Sequence, residues 1–364
     1  MKSVGIITFH ASHNCGSMLQ AYALQHTVTG MGYECEIINL RTDKQKKGYQ
    51  MFFIKGDWKQ VATAIMYPGL VLGDIRKHIR FEKFLKQRYH LTKREYVDSE
   101  ALRQNPPSFD YYISGSDQIW NTGCFDFEDA YYLDFVRSGK RIAYAPSMGP
   151  YCDEDVTTEF FDFIKENVNR YDSVSVRESG TAHHLKKIVG IEYPVMLDPT
   201  FLLDKSEWIA LSGNVPKVRG QYILLYVPWY DDEVSQQAYR LSRMTGLKVV
   251  CTLPIARRKW SGCNFKFVTD VGPVEFLNLI RNASFVVSGS FHALVFSLIF
   301  NRPVYAVNGM SDSRVSHILT LTGTQWLAEF PQVITSSYDY KVAWQKIQPE
   351  IKVSMDYLQR ALEL

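Results

Sequence analysis

Apolar positions in this chain fall in short β-branched runs separated by longer stretches with helical spacing. Residues 4–9 read as a strand, 19–29 carry a helical period and 34–40 read as a second strand, which together make a βαβ unit. Strand-like runs recur at 111–114, 141–145, 173–176 and 193–197. The second half restarts the alternation, with strands at 222–227, 248–253, 265–268, 285–288 and 304–307 and helices at 232–245, 273–281 and 291–300. Such a repeat predicts an α/β fold of two doubly wound, Rossmann-like domains, at 1–200 and 201–339. An amphipathic helix at 340–364 is expected to pack back on the first domain. Residues 49–90 interrupt the first domain with a basic, aromatic stretch whose helical period runs through Ile75, Ile79, Phe81 and Phe84 and breaks at Pro68-Gly69. It reads as a helical insertion covering the sheet, or as a patch meeting a membrane surface or a lipid-linked substrate.

Composition narrows the class. With 364 residues, 46% hydrophobic and 22% charged, the chain can bury the cores of two ordinary domains. Its 41 basic and 38 acidic residues are scattered, so no nucleic-acid footprint is predicted. Six cysteines lie far apart without a CxxC pair, and His183 and His184 lack a third ligand at metal spacing, so no metal site is predicted. The start MKSVGIITFH enters a strand without a secretory signal, and no apolar run approaches the roughly 18–20 residues that span a bilayer. A cytoplasmic chain is expected, with peripheral contact at the inner face of a membrane left open.

Candidate chemistry collects where strands end, because ligands of parallel sheets sit outside the carboxyl ends of their strands. The loop HASHNCGS presents Asn14 and Gly16 there; a plain turn is the alternative. In SFVVSGSFHALV a buried strand ends at Val287 and Ser288, Gly289 and Ser290 turn the chain, and an apolar helix holds His292 in its first turn, with Ser290 and Phe291 beside it as substrate-binding candidates. Unpaired N–H groups and the positive end of the dipole favour phosphate or carboxylate, with an imidazole beside them for proton exchange. In YYISGSDQIWN, Ser116, Asp117 and Trp120 suit a sugar, the ring stacking on apolar faces and the polar groups binding hydroxyls, although Asp117 could simply cap the turn. Arg177 closes the strand in DSVSVRESG and could bind an anion in bidentate fashion or pair with a neighbouring acid. Arg257, Arg258 and Lys259 in PIARRKWSG form a phosphate-binding or merely solvated loop. No GxGxxG, GxxxxGK[ST] or GxSxG accompanies these corners.

Taken in order, ITFHASHNCGSMLQAYALQ, SGSDQIWN, RIAYAPSMG, SVSVRES, PVMLDPTFLL and GPVEFLNLIRNASFVVSGSFHALVFSLIFNRPV resemble the polysaccharide pyruvyl transferase family from residue 5 to about 305. That resemblance implies a glycosyltransferase B-like fold with the active site between the domains. It implies phosphoenolpyruvate as co-substrate, no separate cofactor, and a pyruvate ketal built on a hexose of a cell-surface glycan, free or lipid-linked. His292 matches the family's catalytic histidine and Arg177 its phosphoenolpyruvate-binding arginine, while Asp117 lies where an acceptor-side carboxylate would serve. Ser290 departs from members with an arginine two residues before the histidine. Donor phosphate is then expected on Arg177, on the helix start at 290–292 and on the 257–259 loop. A nucleotide-sugar glycosyltransferase of the same architecture and a non-catalytic glycan-binding or assembly protein are the rival readings.

Overall fold

The computed structural model describes residues 1–49, 68–149, 158–229, 231–253, 264–332 and 338–364. It contains two parallel sheets. The first has the order β3-β2-β1-β4-β5-β6, with β1 Ser3–Ile7, β2 Glu34–Leu40, β3 Leu91–Tyr96, β4 Tyr111–Ser114, β5 Lys140–Ala143 and β6 Ser173–Val174. The second runs β11-β10-β7-β8-β9, with β7 Tyr222–Leu225, β8 Lys248–Cys251, β9 Phe265–Phe267, β10 Phe285–Ser288 and β11 Val304–Ala306. Central strands such as β4, β7 and β10 are buried at every position. Helices cover both faces of such a sheet, so these strands read as continuous apolar runs.

Two expectations about strands change. Leu91–Tyr96 is a strand although its sequence LTKREY is mostly polar; it lies at the sheet edge, with Lys93, Arg94 and Glu95 exposed. Edge strands commonly carry charge in this way. Residues 193–197 form no strand and contribute one isolated bridge, Val176 to Val195, beyond the short β6.

Within the insertion, a helix covers Pro68–Arg88 and includes the Pro68-Gly69 step. Residues 50–67 lie outside the described residues. Phe81, Phe84 and Leu85 of this helix enter the main core, and Arg80 reaches Asp270 at 2.8 Å and Glu275 at 3.1 Å in the second half of the chain. The last helix, Lys341–Glu363, straps the two halves together. The Tyr357 hydroxyl donates to the carbonyl of Ala143 at 3.1 Å, and the Trp344 indole donates to the carbonyl of Leu298 at 3.3 Å. One apolar cluster runs from Ile6 and Ile37 through Trp208 to Leu224, Val286 and Leu358. Burying each such side chain contributes about 1.5–3 kcal/mol, so the two sheets are held by shared core as well as by the strap.

Candidate active site

A cleft of about 540 Å³ opens between the sheets, within the roughly 300–1,000 Å³ usual for small-molecule sites. Its wall comes from residues just past strand ends: Phe9, Ser12 and Asn14 after β1, Asp117 and Gln118 after β4, Val227 after β7, and Gly289 to His292 after β10. His292 is the second residue of the helix Phe291–Ile299. Ser290 occupies the N-cap with extended backbone, φ −86° and ψ 130°, and makes no side-chain cap. The first N–H groups of this helix are thus left to the cleft, together with the positive end of its dipole.

The His292 ring is only 7% exposed, yet it forms part of the cleft wall. Its Nε2 lies 3.4 Å from Asp198 Oδ2, near enough for charge contact but without an aligned hydrogen bond. Gly16, in the first turn of the helix Cys15–Gly30, presses against the other side of the ring. A Cβ at position 16 would stand 2.2 Å from Nδ1 and 2.4 Å from Cγ of His292. Only glycine permits that approach.

Behind the histidine, Arg177 is 2% exposed and held by acids. Its Nη1 donates to Asp117 Oδ1 at 3.2 Å and to Asp198 Oδ2 at 3.1 Å, and its Nε lies 3.5 Å from Glu178 Oε2. The guanidinium carbon stands 4.7 Å over the ring of Phe291, which fixes the start of the histidine helix as well. Asp117 also accepts from Ser17 Oγ at 2.5 Å and has φ +74°, an uncommon backbone state for a non-glycine residue and one that clusters at functional sites. Asp198 accepts from the backbone N–H and hydroxyl of Thr200 at 3.0 and 2.7 Å.

Burial alone would push both carboxyls up. For Asp198 the His292 imidazole and the Arg177 guanidinium outweigh it, and for Asp117 the guanidinium leads; both stay below the ordinary carboxylate range. Arg177 is pulled by burial toward losing its proton, but Asp117, Glu178 and Asp198 hold it above its usual value. Asp126, on the same cleft wall as Asp117, is pushed the other way by burial, with Asp117 adding to the rise and hydrogen bonds from Tyr49 and Ser12 opposing it. Two carboxylates in one cleft with divergent affinities for protons are the pattern of a site that can both accept and hold a proton. Among the described residues no group of three His, Cys, Asp or Glu side chains could hold a metal ion, and no helix is long and apolar enough to cross a membrane.

The family model for polysaccharide pyruvyl transferase matches residues 14–309, a span that includes Asp117, Arg177, Asp198 and His292. The chain belongs to the polysaccharide pyruvyl transferase family. No curated protein matches it. Among solved structures, the UDP-GlcNAc 2-epimerase from Methanocaldococcus jannaschii is similar in fold, with a TM-score of 0.50 at 9% identity over 96% of this chain and 92% of that one. The UDP-GlcNAc 2-epimerase from Neisseria meningitidis bound to UDP-GlcNAc gives 0.47 at 10% identity over 99% and 94%. The E. coli heptosyltransferase WaaC gives 0.37 at 14% over 83% and 87%. The first of these shares the two-domain fold of this chain, and a shared fold does not by itself choose a chemistry.

For this pyruvyl transferase family member the structure redistributes the residues expected from the sequence. His292, Ser290, Phe291, Asp117 and Asn14 line the cleft; Asn14 also caps its helix, accepting from Gly16 N–H at 2.9 Å. Arg177 is not among the cleft-lining residues and sits beneath them, its Nη1 on Asp117 and Asp198. Gly16 supports the histidine ring and is not among the cleft-lining residues. Ser116 is fully buried, its hydroxyl donating to the carbonyl of Ala145 at 2.6 Å. Trp120 is fully buried too, stacked on Tyr132 at 4.9 Å with its indole turned to Ser114 and the carbonyl of Tyr131, so it cannot meet a sugar. Arg257 and Arg258 lie outside the described residues.

Four residues escaped the sequence reading. Asp198 was visible only as the aspartate of PVMLDPTFLL, an Asp-Pro step at the end of an apolar run. Arg314 lines the cleft from the first turn of the helix Ser313–Thr322. Asp126 and Trp229 line it from loops without periodicity, where no pattern marks them.

Proposed function

We propose that this chain transfers a pyruvyl group from phosphoenolpyruvate to two hydroxyls of a hexose, forming a cyclic ketal on a cell-surface glycan or its precursor. The observation that carries the reading is His292 between Asp198 and Gly16, at the open start of a helix in the interdomain cleft. Phosphoenolpyruvate needs an anion site and a proton at its terminal carbon. The N–H groups of Phe291 and His292 at the helix start and the guanidinium of Arg314 on the cleft wall suit the anion, the Ser290 N–H being taken by Ser288 Oγ at 3.0 Å and Arg314 being held by Asp312 through Nε at 2.9 Å. They take the place of the arginine that Ser290 lacks.

His292 lines the cleft, and its imidazole is the group assigned to proton exchange with the substrate. In the first stage a proton passes to the terminal carbon of the enol, and the central carbon becomes electrophilic. A sugar hydroxyl attacks it, giving its own proton to a carboxylate on the acceptor side, with Asp117 as the candidate. Phosphate then leaves with the bonding pair of its C–O bond, and the second hydroxyl closes the ring. The two hydroxyl protons are thereby accounted for, one ending on carbon and one on phosphate. Asp198 orients the imidazole and Arg177 keeps Asp117 and Asp198 at fixed spacing.

Incubating the chain with phosphoenolpyruvate and a panel of hexosides tests the reading. Mass spectrometry should show the gain of one pyruvyl ketal together with phosphate release that needs both partners. Calorimetric binding of uridine nucleotides with none of phosphoenolpyruvate would instead favour a sugar-nucleotide enzyme.

A further inference from the structure

Trp229 is 69% exposed although it is the largest apolar side chain in its loop, and it stands two residues beyond Val227, past the carboxyl end of β7. Across the same cleft stands Phe125, itself 41% exposed. Exposing large rings forgoes the stabilisation that burial gives, so a pair of them on one cleft signals a ligand face. The first-domain side of this face is held by ring contacts. Tyr49 meets Phe125 edge to face at 5.2 Å and stacks on His13 at 5.5 Å, and His13 stacks in turn on Phe81 at 4.8 Å. Gly48 lets the Phe125 ring come close, since a Cβ there would be 2.5 Å from it. The Tyr49 hydroxyl donates to Asp126 Oδ2 at 3.2 Å, where Ser12 Oγ also donates at 3.3 Å. A buried carboxylate is therefore locked beside the aromatic rungs.

We propose that Trp229, with Phe125 and Tyr49, is the platform on which the acceptor hexose docks, and that Asp126 accepts a hydrogen bond from one of its hydroxyls. The proposal rests on the sugar-acceptor part of the function above and deepens it. A pyranose has apolar C–H faces for ring stacking and hydroxyls around its rim for a carboxylate. A nucleotide diphosphate would bring negative charge toward Asp126 and Asp231, which flank the rings on this cleft. The rings thus favour a neutral, hydroxyl-rich partner. Trp229 takes over the stacking role that Trp120 cannot fill.

The test uses the full chain and methyl hexopyranosides, first without donor. Saturation-transfer NMR should show contact concentrated on the C–H protons of one sugar face. Affinity should fall about tenfold in Trp229→Ala and recover in Trp229→Phe, while phosphoenolpyruvate binding stays as in wild type. For any hexoside that wild type pyruvylates, Trp229→Ala should raise the acceptor KM and leave the KM for phosphoenolpyruvate unchanged. Hexopyranoside binding that depends on Trp229, in a chain that releases no phosphate from phosphoenolpyruvate, supports the platform and sinks the donor reading. Unchanged acceptor KM in a folded Trp229→Ala chain overturns the platform and spares the donor reading. Uridine diphosphate binding that Trp229→Ala abolishes also overturns the platform, as does a wild type that no hexopyranoside saturates.

Discussion

Gly16→Ala isolates the geometry on which the proposed chemistry depends. The added methyl would arrive 2.2 Å from Nδ1, 2.4 Å from Cγ and 2.8 Å from Cβ of His292, where ordinary contacts begin near 3.4 Å. The ring must therefore withdraw by about 1 Å, and a displacement of that size can cost about 100-fold in rate. Backbone terms act in the opposite direction, since alanine in a helix is favoured over glycine by roughly 0.5–1 kcal/mol. Overpacking costs about 1–3 kcal/mol, so the net loss of stability should be at most about 2.5 kcal/mol. Gly30→Ala, at the far end of the same helix with nothing within 4 Å, is the control and should melt at or above the wild-type temperature with normal turnover. Initial rates of phosphate release, thermal melts and the imidazole resonances of His292 together give the answer. If Gly16→Ala folds, keeps the wild-type kcat/KM and leaves those resonances in place, the reasoning about the placement of the ring is wrong.

Other consequences are as direct. His292→Gln should lower kcat by about 100-fold to 10,000-fold with an unchanged melting temperature, checked by phosphate release and calorimetry. Arg177→Met leaves Asp117 and Asp198 buried without their countercharge, so urea titration should show a loss of about 3–5 kcal/mol, whereas a surface donor ligand would raise only the KM for phosphoenolpyruvate. Asp198 lies below its ordinary 3.8 in the folded chain, so its contribution to stability is present above that value and fades as pH falls through the lower folded one. The stability gap between wild type and Asp198→Asn should therefore be full near neutral pH and close in acid, as melts across pH will show. Trp120→Phe removes indole bonds to Ser114 and Tyr131 and should cost about 1–3 kcal/mol while leaving the acceptor KM alone, the reverse of Trp229→Ala.

What the linear pattern determined is the alternation of buried strands and helices. Parallel strands such as Tyr222–Leu225 and Phe285–Ser288 are apolar on both faces, and that demand is local enough to read. The corner that puts His292 in a first turn was equally legible, because Ser290 and the apolar run after it specify a strand, a turn and a helix in one segment. The edge strand at Leu91–Tyr96 was not, since one exposed side frees its residues to be charged.

Burial of the site was decided only in three dimensions. Trp120 and Ser116 sit in a polar, aromatic segment that looks like a sugar site, yet the fold turns both inward, and Arg177 is drawn beneath the cleft by carboxylates 60 and 21 residues away. Asp198 meets His292, 94 residues further along the chain, for the same reason. Short-range periodicity states which face of an element is apolar. It carries no information on which distant acid will neutralise a buried cation, because that choice is made by the packing of the two domains around their shared core.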